Sequence, residues 1–295
     1  MDSLLYNRTK SCFKLSQKRQ EKSDETPTSV GVSNACCDTT LVLATLSGNV
    51  SWQNDITSCW AKKLDDVNII DFKLYNDKDV LSNYQPSAIQ FKKDLLAYYA
   101  TINWQQVLNN PLDGVGCYRL MVTTIIDGVT KTFEWGHYDL KIYSPQNATN
   151  SVRIRSVFNQ YHKIEDIDFT ESEVQDTIRF RGFFGNRQPN MVVDNLIYQG
   201  RVEKNVQREN LNTYELLTDP LNTWYIANLL DLHLLSETSI YITDHNEFNT
   251  TYGYKDIPLI VKDSPEVEYR EYSRLASIKC KFSDKKKDSL SKYNG

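Results

Sequence analysis

The chain has 295 residues and a formal net charge of −4 at pH 7. One hydrophobic core rarely grows to this length, so the length predicts two domains. The small net charge argues against a protein that wraps nucleic acid, and no apolar run reaches the length of a membrane span. Tyrosine is frequent, at 18 residues, and glycine is modest, at 11, which favours strands and contact surfaces.

Both ends of the chain are polar. Residues 1–35 predict an arm that is either loose in isolation or ordered on a neighbouring subunit, and the first twenty lack the apolar core of a signal peptide. Residues 284–295, which include the run DKKKD, predict a basic C-terminal tail. Between them we expect a β-sandwich-like domain over residues 36–163 and an α+β assembly domain over residues 164–283.

Strand-like runs dominate the first predicted domain. Apolar residues at strand spacing predict strands over residues 39–47, 67–75, 95–102, 116–126, 129–135, 138–143 and 152–158. Asp127-Gly128 lies between two of these runs and is a hairpin signal. Asn103 is placed to cap a short helix over residues 104–108. Short strands separated by turn residues in this way are typical of a β-sandwich.

Large aromatic residues are concentrated in the same half, at Trp52, Trp60, Trp104 and Trp135. Two interpretations are open. The rings either fill the core of the sandwich, where large aromatic side chains dominate burial, or line an exposed groove for carbohydrate. We predict core packing.

The centre of the chain, residues 174–200, is predicted to join the two domains. It contains two strand-like runs, 177–184 and 191–198, separated by the turn-forming residues 185–189. This pattern predicts either a hairpin inside one domain or a contact surface between domains or subunits.

A second pattern follows. Residues 201–217 predict a long strand pair, with a short helix as the alternative. Asp219-Pro220 then predicts a helix start, and apolar residues at helical spacing continue it to residue 236. Three further strands are expected over residues 239–244, 258–262 and 267–282.

The six cysteines show no CxxC pair. They are Cys12, Cys36, Cys37, Cys59, Cys117 and Cys280. One interpretation is a metal or disulfide cluster near the N-terminus. The interpretation we prefer is reduced, mostly buried thiols, as in a protein made in a cytoplasm. The role of the vicinal pair Cys36-Cys37 stays open.

No motif in the chain predicts catalysis. His245 lies near Asp244 and Glu247, which are metal-capable groups, but a polar loop between strands has the same composition. The chain has only four histidines and shows no nucleophile elbow, phosphate-binding loop or dinucleotide fingerprint. We therefore predict a protein without enzymatic activity, with no catalytic, cofactor-binding or metal site.

Three segments carry a family resemblance: RFRGFFGNRQPNMVVDNLIYQ, NWQQVL…GVGCYRLMV and SIYITDHNEFN…VKDSPEVEYREYSRLASIKCKFSDKKK. The chain resembles virion structural proteins of tailed phages that infect Bacteroidales, in particular ring proteins of the neck and tail of crAss-like phages. The resemblance covers about residues 36–290 and includes no catalytic signature. The basic N-terminal arm has no counterpart in it.

The resemblance implies a homo-oligomeric ring in the virion neck or tail, made in the bacterial host cytoplasm. Its neighbours would be portal, neck and tail proteins, and genomic DNA would pass through the lumen without sequence readout. It also implies a second domain similar to tail-tube and head–tail joining proteins, with strands around one helix. No membrane and no cofactor are implied. The alternative is a carbohydrate- or receptor-binding virion module.

A closed ring repeats one heterologous contact, so each subunit presents two different faces. We predict that the centre of the chain contributes to one of them. The predicted interface residues are Arg181, Phe183, Phe184, Asn186, Arg187 and Tyr198.

Overall fold

The structure is a computed structural model that describes residues 6–7, 40–46, 48, 51–62, 70–126, 129–162, 166–172, 174–197, 203–234, 239–246, 254–270, 274–285 and 288–291. Within these ranges the chain is mainly β, as predicted, and its strands form four sheets. Two core clusters fill the molecule.

The first part of the chain forms two four-stranded sheets, here called together the N-terminal unit. Its strands are β1 (Tyr6–Asn7), β2 (Thr40–Ala44), β3 (Ile56–Lys62), β4 (Ile70–Asn76), β5 (Ile89–Gln90), β6 (Ala97–Asn103), β7 (Gly116–Ile126) and β8 (Val129–Ile142). One sheet has the order β1-β3-β6-β5, and the other has the order β2-β8-β7-β4. The strand β7 and its antiparallel pairing with β8 are as predicted, and the Asp127-Gly128 turn lies outside the described residues.

The core of the N-terminal unit takes side chains from both of its sheets. Trp60 and Trp104 are fully buried, and Trp135 is 7% exposed. The indole Nε1 of Trp104 donates to Thr57 Oγ1 at 2.8 Å, so its polar atom is satisfied. The prediction of core packing is confirmed for these three tryptophans, whereas the fourth, Trp52, is half-buried and belongs to neither core cluster.

The rest of the chain supplies eleven strands. They are β9 (Ser151–Phe158), β10 (Tyr161–His162), β11 (Ile167–Asp168), β12 (Val174–Ile197), β13 (Glu203–Thr218), β14 (Leu221–Asn222), β15 (Ser239–Asp244), β16 (Ile257–Val261), β17 (Glu266–Tyr269), β18 (Leu275–Asp284) and β19 (Asp288–Ser291). β10 and β11 pair only with each other. The other nine form one sheet.

Six strands of this sheet close into an antiparallel barrel. The neighbours run β18-β16-β15-β9-β12-β13, and β13 also pairs with β18 to complete the circle. The second core fills the interior, and Phe184, Leu216 and Phe282 are fully buried there. Because β9 belongs to this barrel, the sheets divide the chain before residue 151 rather than at the predicted boundary of 163.

The centre of the chain is one continuous strand, so the predicted hairpin over residues 177–198 is wrong. β12 has 24 residues. It pairs with β9 up to Arg181 and with β13 from Gly182 onward. Asn186 and Arg187 together oppose the single residue Tyr214, which makes a β-bulge where the strand leaves the barrel. The glycine and proline that suggested a turn are accommodated by this bulge and by a sheet edge.

Beyond the bulge, β12 and β13 form a two-stranded ribbon from the pair Gln188↔Thr213 to the pair Ile197↔Glu203. At the usual rise per strand residue the ribbon is roughly 30 Å long. The predicted extended structure is therefore confirmed for residues 203–217, where the helical alternative is wrong, and residues 201–202 lie outside the described residues. β19 adds a third strand beside residues Gln207 to Asn210.

Three α-helices, one π-helix and the 3₁₀-helix Ser51–Gln53 complete the described chain. The α-helices are α1 (Trp104–Asn109), α2 (Pro145–Ala148) and α3 (Thr223–Asn228), and the π-helix is Leu229–Leu234. Asn103 caps α1, because its Oδ1 accepts from the Gln105 amide at 3.0 Å. This cap was predicted.

The predicted long helix after Asp219-Pro220 is only partly correct. Residues Leu221–Asn222 form the short strand β14 against β18, so α3 starts at Thr223. A helix capped at Asp219 would include residues 221 and 222 in its first turn. These residues pair with β18 instead, so the helix begins later. The predicted strand over residues 267–282 is likewise divided into β17 and β18.

The cysteine prediction is correct for two residues and wrong for one. Cys59 and Cys280 are free and buried, whereas Cys117 is disulfide-bonded. Cys12, Cys36 and Cys37 lie outside the described residues.

Gly182 allows the close crossing at which β12 changes partners. A Cβ atom on it would lie 2.6 Å from the carbonyl oxygen of Leu217 and 3.0 Å from the Cα of Thr218. We expect Gly182→Ala to lower the free energy of unfolding by about 1–3 kcal/mol, because backbone atoms must move, as measured by urea denaturation. Gly136→Ala is the control, since its Cβ would meet only the tip of the Tyr138 side chain. Equal stability of the two variants would contradict the prediction.

Candidate assembly surface

A buried carboxylate joins the N-terminal unit to the barrel. Asp55 precedes β3 and is 1% exposed. Its Oδ1 accepts from Arg153 Nε at 2.8 Å, and its Oδ2 accepts from Arg179 Nε at 3.0 Å. The Leu43 amide donates to Oδ2 at 2.8 Å. One side chain thus connects β2 of the N-terminal unit with β9 and β12 of the barrel.

The two arginines are directly opposite each other on neighbouring strands. Like charges in this position repel each other, and both side chains are almost completely buried. Asp55 lies against both and compensates their charge. We call Asp55, Arg153 and Arg179 the junction cluster.

The remaining donors of the junction cluster are also paired. Arg153 Nη2 donates to the carbonyls of Ser51 at 3.1 Å and Asn54 at 2.8 Å. Its Nη1 donates to Asp256 Oδ1 at 3.1 Å. Ions that are buried with such hydrogen bonds are tolerated in a folded protein, whereas removal of one partner strongly lowers the free energy of unfolding.

The electrostatic balance favours an ionised Asp55. Burial by itself raises the pKa of this carboxyl, but the attraction of Arg179 and Arg153 and the hydrogen bonds outweigh burial, so the pKa lies below its ordinary value. The cluster is therefore charged at neutral pH.

A second buried group resembles hydrolase chemistry in its composition. Ser156 Oγ lies 3.0 Å from His233 Nδ1, and His233 Nε2 lies 3.4 Å from Asp176 Oδ2. All three side chains are fully buried. In serine hydrolases the serine faces Nε2 and the aspartate faces Nδ1, which is the opposite orientation. Ser58 donates its amide to Asp176 at 2.9 Å, so the group connects β3, β9, β12 and the π-helix inside the protein.

The predicted metal-capable cluster at His245 is an aromatic packing site. The His245 ring lies 6.0 Å from Trp52 and 5.9 Å from Tyr143 between centroids. Its Nε2 is buried and has no hydrogen-bond partner among the residues that the structure describes. Asp244 Oδ1 accepts from the Phe184 amide, and Glu247 lies outside the described residues. Among the residues that the structure describes, no group of three or more His, Cys, Asp or Glu side chains is arranged for a metal ion.

The structure separates the six predicted interface residues. Phe184 is fully buried in the second core beside Tyr214 and Phe282, so its assignment to an interface is wrong for the side chain. The inward direction of its strand position explains this, since Phe183 and Phe184 must face opposite sides of the sheet. Tyr198 lies outside the described residues.

The other four residues lie along the outer wall of the barrel or at the bulge. Arg181 and Arg187 are exposed, and Phe183 is half-buried. The backbone of Asn186 is in the bulge. Arg187 Nε donates to Asn212 Oδ1 at 3.0 Å across the ribbon.

Phe183 belongs to a row of outward-facing residues that crosses four strands. It lies opposite Leu217, which lies opposite Lys279, which lies opposite Glu266. Directly opposite residues share a face of the sheet. Leu217 is 50% exposed, so the row presents an apolar pair beside charged groups.

The ribbon itself presents an unpaired edge. Within the described residues, β12 from Gln188 to Ile197 pairs only with β13. Pro189 lies on this edge and has no N–H group, which is common for edge strands. The row and this edge together are here called the assembly surface.

A pocket of about 510 Å³ lies beside the assembly surface, between the N-terminal unit and the barrel. Arg179, Arg181, Lys141 and Asp139 are among its lining residues. Lys141 pairs with Asp139 at 2.9 Å. Asn222 also lines the pocket, and its Oδ1 atom is buried with no hydrogen-bond partner in the described part of the chain.

Sequence reasoning missed the junction cluster. Its signal was present as two Arg-apolar-Arg patterns, Arg153-Ile154-Arg155 and Arg179-Phe180-Arg181. Such alternation usually means one apolar and one solvent-facing side. Here the N-terminal unit covers Arg153 and Arg179, which a single strand pattern does not reveal.

No protein-family profile matches the chain, and no curated protein matches it. In the part of the chain that the structure describes, none of the helices has the length and apolar character needed to cross a membrane.

Removal of the junction carboxylate should strongly destabilise the fold. Asp55→Ala leaves two buried arginines opposite each other, so we expect the free energy of unfolding to fall by about 3–5 kcal/mol in urea denaturation. Asp77→Ala, at an exposed turn, is the matched control and should change it by less than about 0.5 kcal/mol. A loss below about 1 kcal/mol for Asp55→Ala would contradict the role of the cluster.

His245 should make stability depend on pH. Burial first, and then the charge of Arg179, lowers the pKa of His245 to about 3. Between about pH 6.5 and pH 3 the unfolded chain therefore binds a proton that the folded chain does not, and stability falls as the pH falls. His245→Phe keeps an aromatic ring and should flatten this slope. Identical slopes for both proteins, measured by urea denaturation from pH 7 to pH 4, would exclude the effect.

Proposed function

We propose that this chain is a structural subunit of a tailed-phage virion and forms an oligomeric ring in the neck or tail around the DNA channel. In this role it joins the portal or head to the tail. The observation that carries the proposal is the long β12–β13 ribbon, which projects from a closed barrel and whose β12 edge has no strand partner within the described residues. The sequence resemblance supports the same role.

The barrel and the ribbon suit this role in different ways. A closed barrel has no exposed sheet edge of its own. Any strand pairing with another subunit through this sheet must therefore use the ribbon or a short strand outside the barrel circuit. An unpaired edge of this length is normally covered in the assembled state, because its row of free N–H and C=O groups can form backbone hydrogen bonds with a strand of another chain.

The junction cluster supports a rigid subunit. It fixes the N-terminal unit against the barrel through Asp55 and both arginines. Ser58 and Thr177 add direct hydrogen bonds between β3 and β12. A ring that closes accurately needs such a fixed angle between its parts, since small errors accumulate around the circle.

We propose that the two four-stranded sheets are a β-sandwich-like domain. We also propose that the barrel, with α3 and the π-helix, corresponds to the tail-tube and head–tail joining fold. Neighbouring portal, neck and tail proteins would contact the two ends of the ring. Genomic DNA would pass through its lumen without sequence readout, in agreement with the small net charge of −4.

A carbohydrate-binding module has less support. Trp60, Trp104 and Trp135 are core residues rather than an exposed row. Trp52 is half-buried and lies under the ammonium of Lys255, 4.5 Å from its Nζ. The buried Ser156 group likewise offers no access for a substrate, so we propose a non-enzymatic role.

Purified protein should form closed rings, measured by native mass spectrometry and electron microscopy. A variant in which an Asn-Gly turn replaces residues 190–211, between the paired residues Pro189 and Asn212, should stay monomeric. The pairs of β13 with β18 that close the barrel, from Thr213↔Ser283 to Leu217↔Lys279, lie outside the deleted segment, so circular dichroism and the urea midpoint should remain close to those of the intact chain. A strictly monomeric intact protein at high concentration, which also fails to bind neck or tail proteins, would overturn the proposal.

A further inference from the structure

One short strand of the large sheet lies outside the barrel circuit. β17 pairs with β18, and no other strand partner exists for it within the described ranges. Val267 packs against the second core, whereas Glu266 and Glu268 are exposed. Tyr269, at the end of the strand, is 68% exposed. β17 is therefore a second free edge, and its outward side chains are acidic.

The charges at the two edges differ in sign. The bulge at the base of the ribbon carries the exposed side chain of Arg187, and Arg181 is exposed six residues earlier on β12, where that strand pairs with β9. On β17, Glu266 lies opposite Lys279, which forms an ion pair with Glu215 at 2.8 Å, while Glu268 lies opposite Ser277. Among the described residues Glu268 has no ion pair. Glu268 is thus the acidic group best placed to pair outside the subunit.

We infer that β17 of one subunit docks against the β12 edge at the base of the ribbon of the next subunit, with Glu268 facing Arg187 or Arg181. The occupant of each edge is a second copy of this chain. This inference rests on the proposed ring, because a ring needs two different and complementary faces on each subunit. Two unpaired edges of opposite charge on one sheet meet that requirement.

The contact combines two kinds of interaction. Backbone hydrogen bonds between the edges provide adhesion without selecting a partner. The glutamate–arginine pair selects the register and the partner, because a like-charge approach would be repulsive. Both groups are exposed, so the ion pair contributes little to the free energy of association per contact, and its contribution decreases with salt. A closed ring contains one such ion pair per subunit.

The test uses charge reversal and its rescue in the full-length chain. Glu268→Arg should weaken self-association about tenfold at about 50 mM salt, because repulsion replaces attraction. Arg187→Glu and Arg181→Glu are made singly, and at least one should weaken assembly to a similar extent. Combining that variant with Glu268→Arg should restore the ring. Sedimentation velocity measures the dissociation constant.

The control is Asp77→Arg, which changes the same charge at an exposed turn of the N-terminal unit. It should leave the dissociation constant unchanged. If rings form but neither the reversal at residue 268 nor the arginine variants affect them, the inferred contact between β17 and β12 is wrong, whereas the proposed ring is retained. The same holds if the combined variants fail to recover assembly although each folds as the intact chain does. Absence of any ring in the unmodified protein would instead count against the proposed function.

Discussion

The structure depends on one carboxylate placed between two arginines. Arg153 and Arg179 face each other across β9 and β12, where their charges would repel, and Asp55 contacts both. Because Asp55 belongs to the N-terminal unit, the positive charges of the two barrel arginines are compensated only when that unit is docked on the barrel. Compensation of the two arginine charges therefore requires the N-terminal unit to be docked on the barrel. This requirement gives the subunit a fixed shape.

The closed barrel has a second consequence for assembly. Closure satisfies the backbone groups of its six strands internally, so in the described part of the nine-stranded sheet the free edges lie on segments that extend beyond the circle. β12 does so as a ribbon, and β17 does so as a short strand on β18. The bulge at Asn186 and Arg187 separates the barrel part of β12 from its ribbon part, because the strand changes direction there. Gly182 permits the preceding exchange of partners.

Local patterns predicted much of the fold and little of the site. The strand β7, its pairing with β8 and the Asn103 cap follow from neighbouring residues, and these predictions are correct. The hairpin in the centre of the chain is wrong, since Gly185 and Pro189 are equally compatible with a bulged edge strand. Phe184 was assigned to a surface because barrel closure, which makes its side of the strand interior, is a long-range property. The junction cluster was missed for the same reason: Asp55 and Arg179 are far apart in the chain.

The most direct test of the account is amide hydrogen exchange of the full-length protein in dilute and in concentrated solution. The account predicts that amides of residues 188–197 and 266–269 become protected as the concentration rises, whereas protection of the barrel interior stays constant. Those two edges are the surfaces that the proposed ring would cover. Assembled particles in which both segments exchange as fast as in the dilute protein would contradict the central claim.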